Sequence, residues 1–442
     1  GYSRQQVNLT TRLPQLSSSG FIGTGVNVSA ITRSYDQFIT NELRSGTSGF
    51  READVLASLA GGLDNLLADQ SSGLSPVLGS FFDSFQGVAN DPTSIAARQA
   101  LLGEAGSLSA RFQGLSNWLD DTRRGLATRM NTDVQQVNQL ASSIASLNVQ
   151  IIEARGNAAG QPPNDLLDQR DQKLLELAEL VSITTTTQED GSLNVFIGSG
   201  QSLVLGAQHS TLGLVDRTND PGQFDITIGA PGSPAVAVTG LITGGDLGGV
   251  LRYRDQVLVP AMNDLGRLAI ELGTFMNEQH RAGVSLDGLP GTDLFSVASP
   301  QVSPDVGNGG SITVAFDDVS QLTADDYRLG YDGASWTLTR EGSGQVVPMT
   351  GTGTVADPFV AEGVRISVGA GALAGDGYTV RPTRDGASSF SVLTGNPREL
   401  ALAAPVVGSA ALSNTGTGQI SGLVVTDINN PAFQSPPGTL TP

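Results

Sequence analysis

The chain has 442 residues, 39% hydrophobic and 15% charged, with 56 glycines; that length suits about three domains. No run approaches the ~20 apolar residues of a membrane-crossing helix. The formal charge is −19 and Lys173 is the single lysine, so no basic cluster exists to bind nucleic acid or an anionic membrane. Without cysteine, disulfides, thiolate nucleophiles and Cys-bound metals are excluded.

Residues 1–32 alternate briefly around Gly20, Gly23 and Gly25, which predicts an extended segment with one hairpin-like turn. A helical pattern follows Ser34, a suitable N-cap, through Tyr35, Phe38, Ile39 and Leu43. Glycines between 46 and 49 are expected to interrupt it before it resumes from Phe50 to Leu66. Residues 73–76 read as a turn and 77–88 as a shorter helix. Asn90-Asp91-Pro92-Thr93 is a stop-and-restart signal.

The strongest pattern lies between residues 108 and 151. Leu108, Phe112, Leu115, Leu119, Leu126, Met130, Val134, Val137, Leu140, Ile144, Leu147 and Ile151 follow mostly at steps of three and four. This spacing puts one narrow apolar seam along a coiled-coil-like helix of about 65 Å. Such a seam needs partner helices. Residues 34–68, 165–181 and 250–280 carry matching patterns and are expected to cover most of it. Gly114 and Gly125 are its weak points, at about 1 kcal/mol each relative to Ala. Pro260 should start, kink or interrupt the last partner helix.

From Ser182 the character turns to β. Residues 183–187, 193–197, 202–205, 224–228 and 236–238 read as short strands at hairpin spacing. So do 311–316, 327–331, 336–340, 365–368 and 378–381, with Asp332-Gly333 between two of them. The expected fold is therefore multidomain α+β, an elongated antiparallel helical bundle with two inserted β-rich domains. Its expected segments are an extended arm packing on the bundle (1–32), a helical bundle (33–182), a small inserted β domain (183–245), a helix returning to the bundle (246–285), a β-rich outer domain (286–386) and a Gly/Ala/Ser/Pro-rich segment (387–442). The last is expected to lead into a truncated helical region.

The two histidines, His209 and His280, have no partner at metal-ligand spacing and are expected to be partly exposed or capping residues. The motifs of zinc proteases, Ser hydrolases and P-loops are absent. Gly23-Thr24-Gly25 and Gly369-Ala370-Gly371 lack the strand–loop–helix order of a phosphate site and read as turn glycines. Asp317-Asp318 and Asp325-Asp326 lack the alternating oxygens and bidentate Glu of a calcium loop. No catalytic, metal or cofactor residue is assigned.

Several short sequences, in order, carry a resemblance. Gly1-Tyr2-Ser3-Arg4-Gln5 resembles an N-terminal motif of flagellar axial proteins. Leu166-Leu167-Asp168-Gln169-Arg170-Asp171 precedes the first β insertion, and Gly249-Val250-Leu251-Arg252-Tyr253-Arg254 restarts the helix. Asn277-Glu278-Gln279-His280 closes that helix before Asp293-Leu294-Phe295. Asp325-Asp326-Tyr327, Tyr331-Asp332-Gly333 and Trp336 follow.

Over residues 1 to about 400 this order is similar to the hook-associated protein 1 family, the first hook–filament junction proteins of the bacterial flagellum. The resemblance implies a non-catalytic structural subunit assembling as a ring. Its implied partners are other copies of itself, the hook protein, the second junction protein and an export chaperone that binds a C-terminal region expected to be absent here. It implies an extracellular location reached through the flagellar type III export apparatus. Family members carry further helical ends that this chain, which starts at Gly1 without Met, is expected to lack, leaving it monomeric in solution. Tyr2, Arg4, Tyr35, Phe38, Arg123 and Arg124 are the subunit-interface candidates. Another flagellar axial protein, or a secreted enzyme acting on cell-wall glycans, are the alternatives.

Overall fold

In a computed structural model, the described residues are 3–17, 20–68, 73–157, 162–217 and 223–404. Six α-helices are described: α1 (Gln37–Ala68), α2 (Leu74–Asn90), α3 (Ile95–Asn157), α4 (Asn164–Leu180), α5 (Gly245–Tyr253) and α6 (Val259–Arg281). A mixed α+β architecture is what the two periodicities required. The chain divides into two compact units, one of residues 1–62 and 122–257, the other of 63–121 and 258–442.

The long helix begins thirteen residues before the seam, at Ile95, where the Ser94 hydroxyl accepts from the Ala97 amide. Asp91 ends α2 as the stop signal required. All twelve seam residues are buried, so the chain's own segments satisfy the seam.

Three local expectations change. Gly46 and Gly49 do not interrupt α1, which runs unbroken; packing of its opposite face outweighs their propensity cost. Asp36, not Ser34, caps α1, its carboxylate accepting from the Phe38 and Ile39 amides at 2.9 and 3.2 Å. Residues 74–76 form the first turn of α2, where Pro76 lacks only an N–H that no helical carbonyl would have accepted.

The first unit opens with an antiparallel ribbon of β1 (Gln5–Thr11) and, closing it, β4 (Val26–Arg33), with a register shift at Asn8/Leu9; at its far end β2 (Gln15–Ser17) pairs with β3 (Gly20–Ile22). After α4 come β5 (Ile183–Thr187), β6 (Leu193–Ile197), β7 (Gln201–Leu205) and β8 (Gln208–His209), a four-stranded meander. A second sheet of β9 (Thr211–Asp216), β10 (Phe224–Gly229) and β11 (Val236–Ala237) follows. The Ser182 amide donates to the Thr243 carbonyl at 2.8 Å and ties the two ends of this β module together.

The module returns into α5 through Gly244 and Gly245, both at positive φ. A Cβ on Gly245 would lie 2.2 Å from the Leu180 backbone, and one on Gly249 would lie 2.8 Å from the Glu52 carbonyl. α5 is thus wedged between α1 and α4. A π-helical turn, Arg254–Leu258, then leads into α6, and Pro260 follows it as the second residue of α6, where the locally widened helix accommodates the missing N–H.

In the second unit, β12 (Gln301–Pro304), β13 (Ile312–Phe316), β14 (Tyr327–Tyr331), β15 (Trp336–Arg340), β16 (Val346–Val347), β17 (Phe359–Ala361), β18 (Val364–Val368) and β19 (Gly377–Arg381) form two sheets. Their orders are β12-β19-β14-β15-β16 and β13-β18-β17. Leu329, Leu338, Val364, Ile366, Tyr378 and Val380 are buried between them.

The conspicuous polar residues of this unit serve the fold. Asn277 accepts from the Leu294 and Phe295 amides and donates to the Phe295 carbonyl, all at 2.8 Å. His280 is buried, not partly exposed; its Nε2 accepts from the Ala401 amide and its Nδ1 faces the Thr292 carbonyl. Asp318 caps a short 3₁₀ turn, Asp325 pairs with Arg340, and Asp326 binds Asn263 and Arg384. Gly25 and Gly371 occupy positive-φ turns.

Candidate assembly surface

On the first turns of α1, sequence pattern and burial are inverted. Arg44 and Ser48 are buried, while Phe38 is 77% and Phe50 72% exposed, with Ile39 and Leu43 also in solvent. These four residues, with Glu42, Gly46 and Thr47, line a shallow depression of about 660 Å³. Gly46 contributes to it by having no side chain. A contiguous exposed apolar patch of this kind is a candidate interaction surface.

The ribbon repeats this feature. Val7, Leu9, Val26 and Val28 are exposed along its length, and at its far end Leu13 is 90% and Phe21 74% exposed. Every residue of β1 is exposed. An isolated two-stranded ribbon is marginal in water, so its base must be held.

The start of α4 holds it. The Asp168 carboxylate accepts from the Ser3 amide at 2.8 Å and hydroxyl at 3.0 Å, and pairs with Arg33 at 3.0 Å. Asp171 pairs with Arg33 and, at 2.8 Å, with Arg44. Asn164 donates to the Ile31 carbonyl, and the Ser34 amide to the Arg4 carbonyl.

Leu-Leu-Asp-Gln-Arg-Asp is therefore a two-faced clamp. Asp168 and Asp171 grip the arm and α1, while Arg170 points into the core and donates to Asn148 and the Gly191 carbonyl at 2.9 Å each. The motif's three-residue step from Asp168 to Asp171 signals a shared face; nothing in the sequence names Arg33 and Arg44 as the partners.

Replacing both Asp168 and Asp171 by Ala removes both carboxylates from Arg33. Local opening of the arm is then expected to speed trypsin cleavage at the exposed Arg12 on the order of tenfold. Limited digestion followed by mass spectrometry checks this; unchanged cleavage rules out the clamp.

Of the interface candidates, Tyr35 is half exposed beneath the Arg33 guanidinium, 4.4 Å from its ring centre, and Phe38 opens the depression. Arg4 is exposed and joined through its carbonyl to Ser34. Arg123 is half-buried and Arg124 exposed, on α3 where the units divide, and both have interaction partners. Tyr2 lies outside the described residues. As surface candidates the sequence reading missed Leu13 and Phe21, whose separate positions show no period, and Phe50, which it read only as part of the helical pattern.

An anchored arm and an outward apolar helix face, mounted on helices that satisfy their own seam, define a structural assembly protein of mixed α+β fold. Residues 60–295 match the family model "Flagellar hook-associated protein FlgK helical domain", and residues 303–382 match "Flagellar hook-associated protein 1, D2-like domain". Flagellar hook-associated protein 1 of Salmonella typhimurium is 34% identical over 407 residues, 91% of this chain and 73% of that protein. Its Escherichia coli counterpart is 32% identical over 91% of this chain and 74% of its own length.

The structure of the flagellar hook junction protein FlgK from Burkholderia pseudomallei superposes with a TM-score of 0.79 at 32% identity, covering 85% of this chain and 69% of that one. The chain belongs to the flagellar hook-associated protein 1 family. It is a structural component of the bacterial flagellum, not an enzyme.

Proposed function

We propose that this chain joins hook to filament by packing side by side with copies of itself in a ring, between the hook protein and the second junction protein. The exposed apolar face at the start of α1 carries this reading. Large hydrophobic side chains held in water by a rigid helix gain their burial only from a neighbour. The exposed ribbon supplies a second such surface, and the clamp at Asp168 and Asp171 fixes its direction. In this reading Tyr2, Arg4, Arg123 and Arg124 border the subunit contacts.

The same reading places the subunit outside the cell after passage through the flagellar type III export apparatus, with a chaperone engaging a C-terminal region beyond this chain. It also keeps the six-segment organisation, in which the β-rich domains at 183–245 and 286–386 are insertions on a helical bundle.

The test is hook-tip binding by the full-length protein carrying Tyr35→Ala and Phe38→Ala. Truncating two aromatic side chains at an interface is expected to weaken binding by at least about tenfold. Thermal stability should barely change, because both side chains are exposed. Undiminished binding removes this face from the contact.

A further inference from the structure

At the neck of the first β module, Arg129 of α3 holds Asp246 of α5, and Asp133 stands one turn beyond Arg129 on the same helix. Asp246, in the first turn of α5, and Asp133, on α3, are both buried. Arg129 grips Asp246 with two hydrogen bonds of 2.7 Å. One carboxylate oxygen of Asp133 is buried without a hydrogen-bond partner.

The other charged groups around the pair come from α1 and α5. Arg51 lies 3.5 Å from Asp246 but is nearly half exposed and shared with Asp54. Glu52 accepts from the Gly244 amide at 2.9 Å and pairs with Arg252 at 3.2 Å. Asp246, at a helix N-terminus and gripped by Arg129, is the better site for the negative charge. Asp133 has neither advantage.

We propose that Asp133 and Asp246 hold one proton between them, with the Asp133 carboxylic acid donating to the Asp246 carboxylate, and that this proton is a pH-sensitive latch fastening the return of the β module, residues 243–253, onto α3. Releasing the proton places two like charges side by side in the interior. α5 is the element that gives way, because it is short and enters through two glycines.

Burial, followed by the Asp246 charge and hydrogen bond, pushes the Asp133 carboxyl up to about 7, against the opposing pull of Arg129 and Arg51. The unfolded chain gives up that proton near pH 4. The latch's contribution is therefore complete below about pH 4, declines as pH rises towards 7 and is absent above it.

The test compares hydrogen exchange of residues 243–253 at pH 5.5 and 8.5, corrected for intrinsic rates. In the native protein exchange is expected to be on the order of tenfold faster at pH 8.5. In Asp133→Asn, whose amide donates in place of the proton, the two values should coincide. Equal native rates, or an unchanged difference in the variant, overturn the latch.

Should the variant not fold, infrared spectroscopy of the native protein decides. One protonated carboxyl per chain is expected at pH 6, lost by pH 8.5. Its absence at pH 6 overturns the proposal.

Discussion

Replacing Asn148 by Ala is expected to be the most damaging single change in the first unit. Asn148 is fully buried and both ends of its amide are used. It donates to the Leu193 and Gly206 carbonyls at 2.8 and 2.7 Å, and accepts from Arg170 at 2.9 Å and the Leu193 amide at 3.1 Å. Removing it leaves buried backbone groups unpaired, and Arg170 keeps only the Gly191 carbonyl.

Each buried group left without a hydrogen-bond partner costs about 1–3 kcal/mol, and more beside a charge; burial already pushes the Arg170 guanidinium down from its ordinary range. Exchange protection in β6 and β7 should fall by more than a hundredfold. Asn148→Asp keeps a partner for Arg170 but replaces the two N–H donors of the amide nitrogen by one carboxylate oxygen facing two carbonyls, so an intermediate loss is expected. Equal loss in the two variants rules out the broken Arg170 contact as the main source of the damage.

In the second unit the corresponding change is Phe390→Ala. The ring is 1% exposed, stacked on Phe295 at 4.6 Å and tilted against Phe112 at 4.9 Å, while Phe295 meets Phe81 edge-on at 5.9 Å. Even a Cβ on Gly273 would come within 3.2 Å of the Phe390 ring. The site has little freedom to collapse, and the expected cost is about 3–5 kcal/mol. Both tryptophans, Trp118 and Trp336, belong to this unit, so denaturant unfolding followed by their fluorescence reads it directly. Phe390→Leu, which keeps most of the volume, should lose less than half as much. An unshifted midpoint in Phe390→Ala means the aromatic cluster does not hold this segment.

How much was legible differs by element. The α3 seam stood out because twelve apolar positions repeat at nearly constant spacing, a signal no short-range accident produces. Strands β14 and β15 were read at their true limits, since each alternates and Asp332-Gly333 marks their turn. β8, β9, β12, β16 and β17 were not read; β8 and β16 have only two residues each and β17 three, too few to show a period. Gly46 and Gly49 misled because propensity is a local cost, while α1 is held by Arg44, Ser48 and Val55 on its far side.

The candidate assembly surface was only half visible. Tyr35 and Phe38 read as helix positions from their spacing, yet the same spacing serves equally for a core stripe or an outward one.

The chain by itself determined its periodicities, and with them the helical and β stretches, the lack of thiol chemistry and the motif order of a flagellar junction family. These depend on residues near one another in sequence, where backbone geometry turns spacing into a face. Only the tertiary structure decided which face points inward. Arg44, Arg98 and Arg170 are buried because acceptors far away in the chain, Asp171, the Leu400 carbonyl and Asn148, come to meet them. Phe38 and Phe50 stay in water because the inward side of α1 is the one that carries Arg44 and Ser48. Burial of a charge depends on a partner's arrival, and no local pattern records where a partner on another element will lie.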